Sequence, residues 1–188
     1  MKSSNVNLNA ETIITSAAQE AFGKPLVGNA IRSIISEAIL NAALGDGWKW
    51  ASGGWAKCDF IHQDGTCLEV KQSAALQIWH RPGDTPSKGQ FDIAPRKGYY
   101  DDGSAWVDHI GRNAHIYVFA WHPEINPEVA DHRDPMQWQF FVVPEPLLSR
   151  TAKTISLSAV RRLAGPVGAE GLNKAVAKCL KGASVAAE

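Results

Sequence analysis

Apolar and charged residues alternate on both sides of a Gln63-Asp64-Gly65 turn, with Cys58-Asp59-Phe60-Ile61 before it and Leu68-Glu69-Val70-Lys71 after it. Strand side chains point alternately to opposite faces, so a hairpin here has one register that keeps its apolar set together. With a three-residue loop and Gly65 in the left-handed conformation, His62 stands opposite Thr66. Phe60 then faces Leu68, Cys58 faces Val70 and Asp59 faces Glu69. That register puts Cys58, Phe60, Leu68 and Val70 on one face, and Asp59, Glu69 and Lys71 on the other. A two-residue Asp64-Gly65 turn, which the sequence also tolerates, would move Asp59 to the face opposite Glu69. The apolar pairing argues for the longer loop.

The flanking chain sets the context of this hairpin. Residues 10 to 22 and 27 to 44 read as helices; the second carries Val27, Ala30, Ile31, Ile34, Ile35, Ala38, Ile39 and Ala42 at helical spacing. It is expected to pack on a sheet through Ile31, Ile35, Ala38 and Ala42. Short strands follow at Trp48 to Ala51, at Trp55 to His62 after a Ser52-Gly53-Gly54 turn, and at Thr66 to about Ile78. Residues 80 to 114 form a long insertion with little periodicity beyond a short strand at Phe91 to Ala94, and a loop of this length is usually functional or disordered. His115 to Trp121 and Trp138 to Val143 read as buried strands, Leu157 to Leu163 and Gly171 to Leu180 as closing helices, and 182 to 188 as a flexible tail. The layout is a single α/β domain over 1–188, with a mixed central sheet of about five strands flanked by helices.

Two carboxylates facing each other across a strand pair repel, which suggests a positive partner between them. Asp59 and Glu69 would suit Mg²⁺ or Mn²⁺, with water completing the shell. Lys71, two residues beyond Glu69 on the same face, could orient or deprotonate a water and offset charge on a phosphate. These are the parts phosphodiester hydrolysis needs. The plainer alternative is an exposed Glu69–Lys71 ion pair beside a solvated Asp59, and spacing alone leaves both open.

In these residues the chain resembles the PD-(D/E)XK restriction-endonuclease-like nuclease superfamily, whose pattern is a helix bearing an acid, a strand ending in Asp and a strand carrying Glu-x-Lys. Glu37, Asp59 and Glu69-Val70-Lys71 occupy those places, Cys58 stands where the family has Pro, and Gln72 matches an occasional family position. The resemblance covers about residues 27 to 79 in motif and the later strands only as element order. It implies a restriction-endonuclease-like three-layer core, metal ligation by Asp59 and Glu69, and a Lys71 that assists the water. The implied activity is metal-dependent DNA cleavage by an endonuclease, with two copies needed to cut both strands of a duplex. The rival expectation is a nucleic-acid-binding or protein-interaction module whose site is no longer used.

Composition narrows the rest. Nineteen basic residues balance nineteen acidic ones, so any nucleic-acid surface must be local. Lys88, Arg96, Lys97, Tyr99, Tyr100 and Arg112 supply such a mixture of basic and aromatic groups within the insertion, while Trp79 and Trp106 are further candidates for stacking on bases. Cys58, Cys67 and Cys179 have no paired spacing and suit reduced thiols in a soluble, cytoplasmic protein, and no apolar run is long enough to span a membrane. His122, Asp131, His132 and Asp134 could hint at a second metal, but their surroundings read as an exposed turn. No phosphate-binding glycine loop or nucleophile motif is present.

Overall fold

The computed structural model describes residues 9–51, 53–81, 83–101 and 104–185. Helix α1 (Ala10–Phe22) and helix α2 (Asn29–Ala43) precede a meander of β1 (Trp48–Trp50), β2 (Phe60–His62) and β3 (Cys67–Ala74). Three strands occupy the insertion, β4 (Gln90–Asp92), β5 (Arg96–Asp101) and β6 (Ala105–Gly111). The chain continues with β7 (Ile116–His122), β8 (Gln139–Pro144), β9 (Thr154–Ser156), α3 (Leu157–Leu163) and α4 (Leu172–Val185). It is a mixed α/β chain built on a five-stranded sheet of order β1-β2-β3-β7-β8, in which only β3 and β7 run parallel.

Every residue of β7 is buried because the sheet is covered on both sides, which is why its sequence is an apolar run rather than an alternation. One face carries Phe60, Leu68, Val70, Val118, Ala120 and Phe140, packed against Ile35, Ile39 and Leu40 of α2 and Leu172 and Val176 of α4. The other carries Tyr117, Phe119, Trp121, Phe141 and Val143, covered by Leu157 and Val160 of α3 and by Phe91 and Ile93 around the β4–β9 ribbon. Helices thus cover one face, while a short helix and a two-stranded ribbon cover the other.

Several expectations are corrected. Helix α2 is turned so that Arg32, Ile35, Ser36, Glu37, Ile39 and Leu40 are buried while Ala38 and Ala42 stay exposed and Ile31 is half-buried. A polar partner on the sheet accompanies the rotation: Arg32 donates through Nε to Gln72 Oε1 of β3, and through Nη2 to Asn29 Oδ1 of its own helix at 3.0 Å. The strand expected from Trp55 begins only at Phe60, and the one expected to reach Ile78 stops at Ala74. The insertion is far from structureless, since β5 and β6 pair as a separate ribbon. Helix α4 ends at Val185, and 186–188 of the expected tail lie outside the described residues, as do Ser52 of the expected turn and residues 82, 102 and 103 of the insertion. Among the described residues, no helix is long and apolar enough to cross a membrane.

Helix α1 buries none of its residues, and Ile14 is 67% exposed, whereas Phe140 is fully buried. Phe140→Ala should therefore cost about 3–5 kcal/mol in urea unfolding, and Ile14→Ala should stay within about 0.5 kcal/mol. Equal costs would contradict this division of the chain.

Candidate functional site

The hairpin between β2 and β3 adopts the three-residue loop. Gly65 has φ +87°, its N–H donates to His62 O at 2.8 Å, and Phe60 pairs with Leu68. The ladder ends at Phe60, however, and never reaches a Cys58–Val70 pair. Asp59 N–H still donates to Leu68 O at 3.1 Å, so the chain bends just before β2. From Glu69 onward β3 therefore has a strand neighbour on one side only, and the Val70 N–H on its open side needs another acceptor. The Asp59 carboxylate supplies it, with Oδ2 accepting that N–H at 2.7 Å.

This gap in the sheet is a cavity of about 280 Å³. Asp59, Glu69 and Lys71 lie at its base, Ser33 and Glu37 of α2 on one side, the segment 53–57 on another, and Arg96, Gly98 and Asn113 on the ribbon side. Glu37 is 7% exposed and fixed at both oxygens: Trp50 Nε1 donates to Oε2 at 2.9 Å and Ser33 Oγ to Oε1 at 3.2 Å. The indole of Trp50 in turn stacks on Phe60. No periodicity or motif around Trp50 points to this use of its indole. Lys71 Nζ lies 2.5 Å from Glu69 Oε1, both side chains being less than one-fifth exposed, at 16% and 18%. Burial, then the Glu69 charge, then that of Glu37 push the Asp59 carboxyl up to about 7, against the opposing pull of the Val70 N–H and Lys71.

The structure thus brings Asp59, Glu69, Lys71 and Glu37 to one cavity, together with Arg96. Gln72 is directed elsewhere: its amide spans to Arg32 and Asn29 on the α2 face. Arg112 holds the core together, donating to the carbonyls of Ile93, Ser149 and Ala152 and pairing with Glu145 at 3.0 Å; only 4% of its side chain is exposed. Lys88, Lys97 and Tyr100 are exposed, and Tyr99 is half-buried under Lys57 Nζ at 5.8 Å from its ring centroid. Trp55 and Lys57, which the sequence did not single out, form the cavity wall; the adjacent Gly53-Gly54 turn was the available sign. His122 and His132 are buried beside Trp138 with ring centroids 4.8 Å apart, Asp131 pairs with Arg133, and Asp134 caps a 3₁₀ turn. Burial holds both imidazoles below the ordinary histidine range, so they serve as neutral packing groups at neutral pH.

Hard oxygen donors in a half-buried, mutually repelling set suit a divalent cation such as Mg²⁺ or Mn²⁺, and burial, with repulsion second to it, raises the Asp59 carboxyl pKa. Among the described residues, no three His, Cys, Asp or Glu side chains are grouped closely enough to form a ready metal cage. Asp59 and Glu69 would therefore serve as two protein ligands with water filling the rest of the shell, as Mg²⁺ commonly accepts.

An acid whose folded pKa lies above its unfolded value of 3.8 destabilises the fold once ionised; the cost is absent below about pH 4 and complete above about pH 7. Asp59→Asn keeps an oxygen for the Val70 N–H and removes the charge. In chelator, the variant should match the wild type at pH 4 and exceed it by about 1–3 kcal/mol at pH 8. Lower stability of the variant at pH 8 would refute the repulsion argument. Comparison with protein-family models, curated proteins and solved structures yields no match for this chain, so the reading of the cavity rests on its own geometry.

Proposed function

We propose that the protein is a divalent-metal-dependent nuclease that hydrolyses phosphodiester bonds of DNA as an endonuclease, on a restriction-endonuclease-like core. The observation that carries this reading is the meeting of Asp59, Glu69, Lys71 and Glu37 in one cavity of the sheet. The order of supports agrees with the family pattern the sequence resembles: an acid on a helix, an Asp beside a short strand, and Glu-x-Lys on the next strand. Mg²⁺ or Mn²⁺ is the proposed cofactor.

Asp59 and Glu69 would hold the ion, with Glu37 adding negative charge from behind. A divalent ion there supplies Lewis-acid charge that makes water a better nucleophile and offsets the charge of the phosphate. Lys71 orients the attacking water, and its ammonium opposes the charge that develops on the phosphate oxygens. Arg96, exposed at the cavity wall, offers a guanidinium to a non-bridging oxygen. The water gives up a proton to solvent as its oxygen bonds to phosphorus, the bond to the leaving strand breaks, and the departing oxygen takes up a proton from solvent. One such site cuts one strand, so duplex cleavage in place calls for a second copy.

The Glu69–Lys71 ion pair favours a second reading, a nucleic-acid-binding or interaction module in which this pair is simply structural. Plasmid incubated with Mn²⁺ or Mg²⁺, with and without excess chelator, separates the two. The nuclease reading expects nicking that chelator abolishes; failure to cut any nucleic acid favours the module. Metal should also raise the Tm of the wild type, following RT ln(1 + [L]/Kd). Asp59→Asn should lose most of that rise, whereas Lys71→Ala should keep it and lose cleavage by about 10²–10⁴-fold. Identical metal responses of Asp59→Asn and wild type would show that the ligand assignment is wrong.

A further inference from the structure

Beside the acidic cavity stands a group of aromatic rings that the proposed chemistry does not use. Trp55, on the cavity wall, is 59% exposed, and Trp106 and Tyr100 of the β5–β6 ribbon are 43% and 42% exposed. The three rings touch edge to face, with centroids 6.2 Å apart for Trp55–Trp106 and 5.2 Å for Tyr100–Trp106. We propose that this cluster is a stacking platform for an unpaired base, and that the substrate carries a single-stranded stretch where it enters the cavity. The proposal rests on reading that cavity as a nuclease site.

The platform is fixed before any ligand arrives. A Cβ on Gly98 would come within 2.5 Å of the Trp106 indole and 2.4 Å of Val107 O, so the missing side chain at 98 is what leaves room for the indole against β5. Asp108 Oδ1 accepts the Trp106 Nε1–H at 2.8 Å, and Tyr100 N–H donates to Trp55 O at 2.8 Å, which ties the ribbon to the cavity wall. Exposed aromatic faces held this way leave apolar surface in water that a flat partner would cover.

A continuous duplex offers its grooves and phosphates but keeps base faces stacked on one another, whereas an unpaired strand presents those faces freely. Lys57, Arg96 and Lys97 are exposed around the cluster beside the exposed acids Asp92, Asp101 and Asp108, and Asp92 Oδ2 lies 3.6 Å from Arg96 Nη2, so base stacking rather than net charge carries the preference for a single strand.

The test is fluorescence anisotropy of the full chain with labelled oligothymidylate and with a blunt, fully paired duplex of equal length, both in EDTA so that binding is read apart from cleavage. The single strand should bind at least about tenfold more tightly than the duplex, and Trp55→Ala and Trp106→Ala should each weaken it by about tenfold, the scale of one lost base–aromatic stack. Trp106 is also a cross-strand partner in the ribbon, so Trp106→Phe serves as the rescue; it should bind nearly as the wild type does. Equal affinity for both oligonucleotides, or wild-type binding by both alanine variants, overturns the platform even if plasmid is cut. Strand binding lost in both variants supports the platform even if no phosphodiester is ever hydrolysed, in which case only the nuclease reading fails.

Discussion

The position of β3 governs the rest of the molecule. It pairs with β7 from Leu68 to Ala74 but with β2 only at Cys67 and Leu68. The long parallel pair forms the buried middle of the sheet, and a parallel pair needs a long crossover to join it. That crossover is the segment between Ala74 and Ile116, and it carries β4, β5 and β6 around one side of the sheet. The short antiparallel pair leaves the next part of β3 open on its β2 side. One strand thus builds the core with its first edge and opens the candidate site with its second.

The open edge explains why charge collects there. A strand edge facing a cavity keeps unpaired backbone donors, and the Asp59 carboxylate takes the Val70 N–H at 2.7 Å. Once that carboxylate is drawn in, burial raises the cost of its charge, and Glu69 and Glu37 nearby add to it. Lys71 relieves part of it through Glu69. The same arrangement that satisfies the backbone therefore leaves excess negative charge in a half-buried place.

Polar groups buried elsewhere do structural work of a different kind. Arg112 gathers three backbone carbonyls and Glu145, and so pins the end of the crossover to the loop after β8. Arg32 and Gln72 join the start of α2 to β3. By composition these residues resemble the basic and polar groups a nucleic-acid surface uses; their burial is what sets them apart, and burial belongs to the tertiary structure.

The sequence alone determined the elements whose residues repeat with a clear period. The Phe60–Leu68 register, the two buried strands β7 and β8 and the extent of α3 were legible because apolar alternation, apolar runs and capping are local signals. The trio Asp59, Glu69 and Lys71 was legible for the same reason. The β5–β6 ribbon was not, because both of its faces are largely exposed and it carries no apolar rhythm; Gly98 beneath Trp106 and the Tyr100–Trp106 pair hold it instead. The rotation of α2 was also hidden, since a helical wheel ranks Ala38 and Ala42 as core residues and cannot know that Gln72 and Trp50 will draw Arg32 and Glu37 inward. Local periodicity fixes which face of an element is apolar, but which polar side chains are buried depends on the hydrogen-bonding partners that distant segments bring, and only the folded chain supplies those.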